Sequence, residues 1–222
     1  MLLRQRTIVA TGAVVAALVC ASPASARIID IGGKPSATPS CPAKPCYAVS
    51  RTTGYQVRVV GSRTAYVVPR TGRIVAWRIW LGNPSTRQID FFTSRFGAAS
   101  ARLTILHIGK RLFYRRVMGQ SPAVDLEPYF GQSVQFPLET SIPVHKGQVI
   151  ALTVPTWAPA LTDVLNKGSS WRASRPKGRC GDTDTQTAQT TLDARTQYRC
   201  VYRARLTYRA TLITNPRPNK TD

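Results

Sequence analysis

The sequence predicts an all-β protein, an antiparallel β-sandwich behind an N-terminal leader. Three observations carry that reading. Short runs rich in β-branched and aromatic residues recur along most of the chain, each bounded by Gly, Pro, Asn or Ser. No helical stripe of comparable length accompanies them, the best short candidate being PALTDVLN at 159–166. The stretch YRCVYRARLTYRATL at 198–212 alternates with period two, placing Tyr198, Cys200, Tyr202, Ala204, Leu206, Tyr208, Ala210 and Leu212 on one side and Arg199, Arg203, Arg205 and Arg209 on the other. One face of that strand is expected to be buried.

The chain opens with MLLRQRTIVATGAVVAALVCASPASA: two arginines, an apolar run to Cys20, and the small-residue ending Ala24-Ser25-Ala26. Residues 1–26 therefore read as a secretory signal peptide cut after Ala26. The apolar run is too short to cross a hydrocarbon layer of about 30 Å, so no stable transmembrane anchor is expected. Lipid attachment at Cys20 is disfavoured, because Val19 stands where a small residue is wanted. Residues 27–44 form a Pro/Gly-rich extended lead-in, 45–214 a single β-sandwich domain, and 215–222 a disordered tail.

Within the domain the strand runs are TGYQVRVVG (53–61), TAYVVP (64–69), GRIVAWRIWLG (72–82), RQIDFFTSRFG (87–97), ARLTILHIG (101–109), RLFYRRVMG (111–119), SVQFPLE (133–139) and GQVIALTVP (147–155). The fifth and sixth read as a tight hairpin through Gly109-Lys110. The stretch 198–212 would reach roughly 50 Å if straight, longer than a usual strand, so a bend or bulge is expected in it. Such a break would shift the phase, and the four arginines need not share one face.

VHKGQVIAL (144–152), followed by Pro155-Thr156-Trp157, and GRIVAWRIWL (72–81) resemble the turn-and-strand pattern of jelly-roll sandwich modules, including many carbohydrate-binding ones. That resemblance implies a jelly-roll-like sandwich. The chain as a whole also resembles secreted proteins of high-GC bacteria.

Removing the leader leaves Cys41, Cys46, Cys180 and Cys200, an even number suited to an oxidising compartment. Of the three possible connectivities, sequence separation favours Cys41 with Cys46 and Cys180 with Cys200. A zinc site is the competing use, but neither pair has zinc-knuckle spacing, and His107 and His145 are distant in sequence. The 31 Lys and Arg against 10 Asp and Glu give a formal charge of +21. Such a charge attracts acidic cell walls, anionic headgroups, acidic polysaccharides or extracellular DNA. A generic, solvated basic surface is the alternative. Arginine dominance suits bidentate recognition of phosphate or carboxylate.

Catalytic signals are sparse. Only His107 and His145 could serve a nucleophile, and no G-x-S-x-G elbow is present. Glu127 and Glu139 offer a remote carboxylate pair for a hydrolase. Asp182 and Asp184, two apart in GDTDTQT, could begin a structural calcium loop; no other cofactor is expected. Trp77 and Trp80 fall on opposite strand faces, while Trp157 and Trp171 flank a loop-like region. The expected function is a secreted or wall-associated, non-catalytic module binding a glycan or anionic polymer through Arg199, Arg203, Arg205, Arg209, Trp80, Trp157 and Trp171. A structural cell-envelope protein without a specific ligand is the alternative. Nucleic acid is not an expected partner, because no RRM, OB or helix-turn-helix signature occurs.

Overall fold

The computed structural model describes residues 26–33, 38–110, 113–162 and 168–216. The leader up to residue 25, Cys20 included, lies outside them, as do residues 163–167 of the helix candidate and 217–222 of the tail. Among the described residues twelve strands and one α-helix follow in order: β1 (Ile28–Ile31), β2 (Val49–Arg58), β3 (Gly72–Trp80), α1 (Thr86–Phe96), β4 (Ser100–Ile108), β5 (Tyr114–Gln120), β6 (Val124–Asp125), β7 (Ser133–Val144), β8 (Val149–Ala158), β9 (Ser170–Ala173), β10 (Arg195–Gln197), β11 (Cys200–Tyr202) and β12 (Tyr208–Thr214). They build two antiparallel sheets, a small one ordered β1-β12-β3-β7 and a large one ordered β10-β5-β4-β8-β2-β9-β11, with β6 on β4. The all-β sandwich-like expectation holds.

The main core lies between the sheets. Ile74, Trp77, Ile79, Tyr208, Ala210 and Leu212 of the small sheet face Leu103, Ile105, Ile150, Leu152 and Val154 of the large one. The large sheet also buries its other face. β10 and β11 are its two edges, yet only Tyr198 and Arg199 separate them along the chain, so the edges stand within about 10 Å and the sheet curls nearly round on itself. Inside the curl Tyr55, Leu106, Val117, Val149, Ala151 and Tyr198 form a second core. This explains why VIALTVPTWA reads as an almost unbroken apolar run: both faces of β8 are covered. β7, with one solvated face, alternates instead.

The stretch 198–212 is not one strand. β11 pairs with β9 in the large sheet, β12 pairs with β1 and β3 in the small one, and residues 203–207 carry the chain across. The apolar side holds: Tyr198, Cys200, Ala204, Leu206, Tyr208, Ala210 and Leu212 are buried. The single arginine face does not form, because changing sheets rotates the chain. Cys41–Cys46 and Cys180–Cys200 are the disulfides, as expected.

Three local expectations are corrected. RQIDFFTSRFG forms the helix α1, since Ile89, Phe92 and Phe96, three and four apart, turn to the core while Phe91 stays exposed. Gln88 Oε1 accepts from the Ser85 N–H at 2.9 Å to open it, and Gly97 at φ 89° ends it. TAYVVP is a connecting segment that only bridges β8, through Val67 and Val149. β4 and β5 do pair antiparallel, but β4 ends at Ile108 and β5 begins at Tyr114, so more than the two residues Gly109 and Lys110 separates them. In the lead-in, residues 28–31 form an edge strand on β12.

Candidate functional site

The seam of the curled sheet gathers basic residues that the sequence reading did not group. Antiparallel pairing sets Arg116 of β5 opposite His107 of β4 on one side and Arg195 of β10 on the other, so the three share one face. With Lys110, Tyr114 and Arg115 they line a cleft of about 300 Å³. No carboxylate lines this cleft among the described residues. Asp193 reaches it from the side, accepting from Arg116 at 2.6 Å and 2.9 Å.

Arg115 turns to the opposite face, where its Nε and Nη2 donate to Tyr55 Oη at 3.2 Å and 2.9 Å. Tyr55 is also the register partner of Arg172 on β9. Arg172 and Arg199 both stack on the Phe113 ring, 4.4 Å and 4.9 Å from its centroid. Arg115 thus joins the cleft to a second basic group at the mouth of the curl. Burial pushes the Arg172 pKa below its ordinary value, and the charges of Arg115 and Arg199 push the same way, against an opposing contribution from Tyr55. The partners here are a phenol, ring faces and the carbonyls of Tyr198 and Arg199, all neutral. An incoming anion would relieve this crowding, and the planar guanidinium forks suit a phosphate, sulfate or carboxylate.

The residues expected to bind ligand are dispersed. Arg199 belongs to the seam. Arg203 is exposed at a separate cleft. Arg205 is 7% exposed and donates to the Gly32 carbonyl at 2.9 Å, so it is a structural residue. Arg209 pairs with Asp30 at 2.9 Å and lies over half-buried Trp80 on the outer face of the small sheet. Trp157 is fully buried against Phe92 and Phe130, and Trp171 is 3% exposed beneath Tyr202. Neither is a surface stacking platform: each fills core volume that sequence periodicity assigned to a loop.

The calcium expectation also fails to assemble. Asp182 accepts from Thr185 Oγ1 and from the backbone of Asp184 and Thr185, and pairs with Arg179; these hydrogen bonds, that of the Thr185 hydroxyl foremost, hold its carboxyl far below the usual range. Asp184 is gripped by two Arg95 nitrogens at 2.6 Å and 2.8 Å. Among the described residues no group of three His, Cys, Asp or Glu could hold a metal. The carboxylate pair is divided as well. Glu139 lines a groove beside Trp77 and Phe136, whereas Glu127 is exposed on a 3₁₀ turn (Glu127–Tyr129) near the Ala99 amide and does not line it. His107 and His145 are both exposed.

The signal that could have located the seam is the run RLFYRR at 111–116, whose basic ends flank two aromatics at a hairpin. Nothing in the sequence placed Arg172 or Arg195 beside it. No protein-family model matches the chain, and neither a curated protein nor a solved structure matches it. Among the described residues no helix is long and apolar enough to cross a membrane, and the two disulfides fit an oxidising, non-cytoplasmic compartment.

Proposed function

We propose that this protein is a secreted, non-catalytic binding module that holds an anionic polymer of the cell surface or extracellular space, an acidic glycan or a wall polyanion, along the seam of its curled sheet. One observation carries the reading: Arg115, Arg116, Arg172, Arg195 and Arg199 converge there with Lys110 and His107, and among the described residues Asp193 is the carboxylate that pairs with them. A cluster that is not neutralised from within draws polyanions at low salt and gives up less of that attraction to salt where it is partly buried. The leader and the disulfides support a place outside the cytoplasm.

The test is retention of the mature protein on dextran sulfate and on insoluble cell wall, with neutral dextran as control, over a range of salt. The Arg195→Glu/Arg199→Glu variant should bind more weakly by about tenfold or more. Arg73→Glu/Arg78→Glu, with the same change of net charge on the small sheet, should lose no more than about twofold. Equal losses from both variants would mean a generic basic surface and would return the structural-protein reading to first place.

A further inference from the structure

A second cleft, of about 410 Å³, lies behind the Cys180–Cys200 disulfide and shares no lining residue with the basic cleft of the seam. Its walls are largely apolar: Tyr47, Leu161, Trp171, Val201 and Tyr202. Arg175 and Arg203 are the charged residues that line it, and no carboxylate does so among the described residues. The volume lies within the range of about 300–1,000 Å³ usual for small-molecule sites.

Arg175 makes this cleft more than a hollow. The residue is 4% exposed, yet its partners are neutral: Nη1 donates to Tyr202 Oη at 3.0 Å and Nη2 to the Ser50 carbonyl at 2.8 Å. Its Nε is buried without a hydrogen-bond partner, and so is Nε1 of Trp171. A buried guanidinium keeps its charge, and among the described residues Arg175 has no ion pair: Asp182, which lines the adjoining hollow with it, pairs with Arg179 instead. The scaffold around it is fixed. Tyr202 stacks on Trp171 at 4.6 Å and donates to the Cys180 carbonyl at 2.6 Å, tying the wall to the disulfide.

We infer that this cleft binds a small amphiphilic anion, one carboxylate, sulfonate or phosphate on a flat or short apolar body. The head takes the Arg175 guanidinium in the wall as its charge partner, with exposed Arg203 attracting it at the mouth. The body lies against the tyrosine, valine and leucine walls. A long polyanion is a poor match, because the walls are largely apolar and only two arginines line them.

The experiment is calorimetric titration of the full chain with 2-naphthoate, beside its uncharged analogue 2-naphthylmethanol. The expected result is saturable one-to-one binding of the anion that survives salt of about 0.5 M, with the alcohol weaker by about tenfold. Val201→Glu, at a position 49% exposed on the cleft wall, should abolish binding while the far-ultraviolet spectrum stays unchanged. Arg203→Glu, also at an exposed position, should weaken it severalfold and serves as a second probe should the first variant not fold. Unsaturable binding, equal affinity for acid and alcohol, or indifference to both substitutions overturns the proposal. None of these results depends on whether the seam binds a polymer.

Discussion

The two sheets treat their arginines differently. On the small sheet each arginine of the outer face meets an oxygen within its own sheet: Arg73 bonds Ser141, Arg78 bonds Ser133 and Gln135, and Arg209 pairs with Asp30. At the seam of the large sheet, Arg115, Arg172 and Arg199 meet a phenol, ring faces and carbonyls, and burial first, then the charges of Arg115 and Arg199, pull down the Arg172 pKa. The contrast teaches that the number of arginines says little about a site. What differs is the kind of partner: Arg209 meets a carboxylate, whereas Arg115, Arg172 and Arg199 meet only neutral groups and share the Tyr55 and Phe113 rings.

The seam should tolerate change that the packed layers beneath it do not. The largest effect is expected at high pH. Tyr66 and Tyr208 are buried between the sheets and Tyr198 inside the curl, and burial raises all three pKa values, Tyr66 to about 12. An unfolded tyrosine ionises near pH 10, so the stability these rings contribute is complete below that pH and is lost as pH climbs towards 12 and beyond. Absorbance at 295 nm should show these three tyrosines titrating only together with unfolding; a smooth titration of every tyrosine near pH 10 would contradict their burial.

Next comes Gly54, where an added Cβ would lie 2.7 Å from the Trp171 ring, itself capped by Tyr202. Gly54→Ala should cost about 2 kcal/mol by urea denaturation, since the Trp171 ring can make room only by shifting out of its stack on Tyr202. Arg209→Met, which strips the pair with Asp30 from the small sheet, should cost about 1 kcal/mol. Smallest of all is Arg172→Met: the side chain keeps its reach over Phe113 but removes a crowded charge, so the urea midpoint should not fall, while dextran sulfate affinity should. A seam arginine that stabilises the fold as much as Arg209 would erase the distinction between the sheets.

Much of this fold is legible in the sequence because strands advertise themselves by period two. The alternation from Tyr198 to Leu212 identifies the buried residues correctly even though the chain changes sheets halfway. That change is set by the crossing at 203–207, which no local pattern records. The helix α1 escapes because the adjacent Phe91 and Phe92 look like strand aromatics, while the 89, 92, 96 spacing is short. The site is less legible. His107, Arg116 and Arg195 become neighbours only through strand pairing, and Arg172 joins Arg199 only because the large sheet closes on itself.

The most direct test of the seam is a side-chain NMR titration that follows the arginine Nε–H resonances while a short sulfated oligosaccharide is added. The account predicts that Arg115, Arg116, Arg172, Arg195 and Arg199 shift together and saturate, with Arg73, Arg78 and Arg209 unmoved. Uniform, unsaturating shifts across both sheets would contradict it and leave a basic surface without a site.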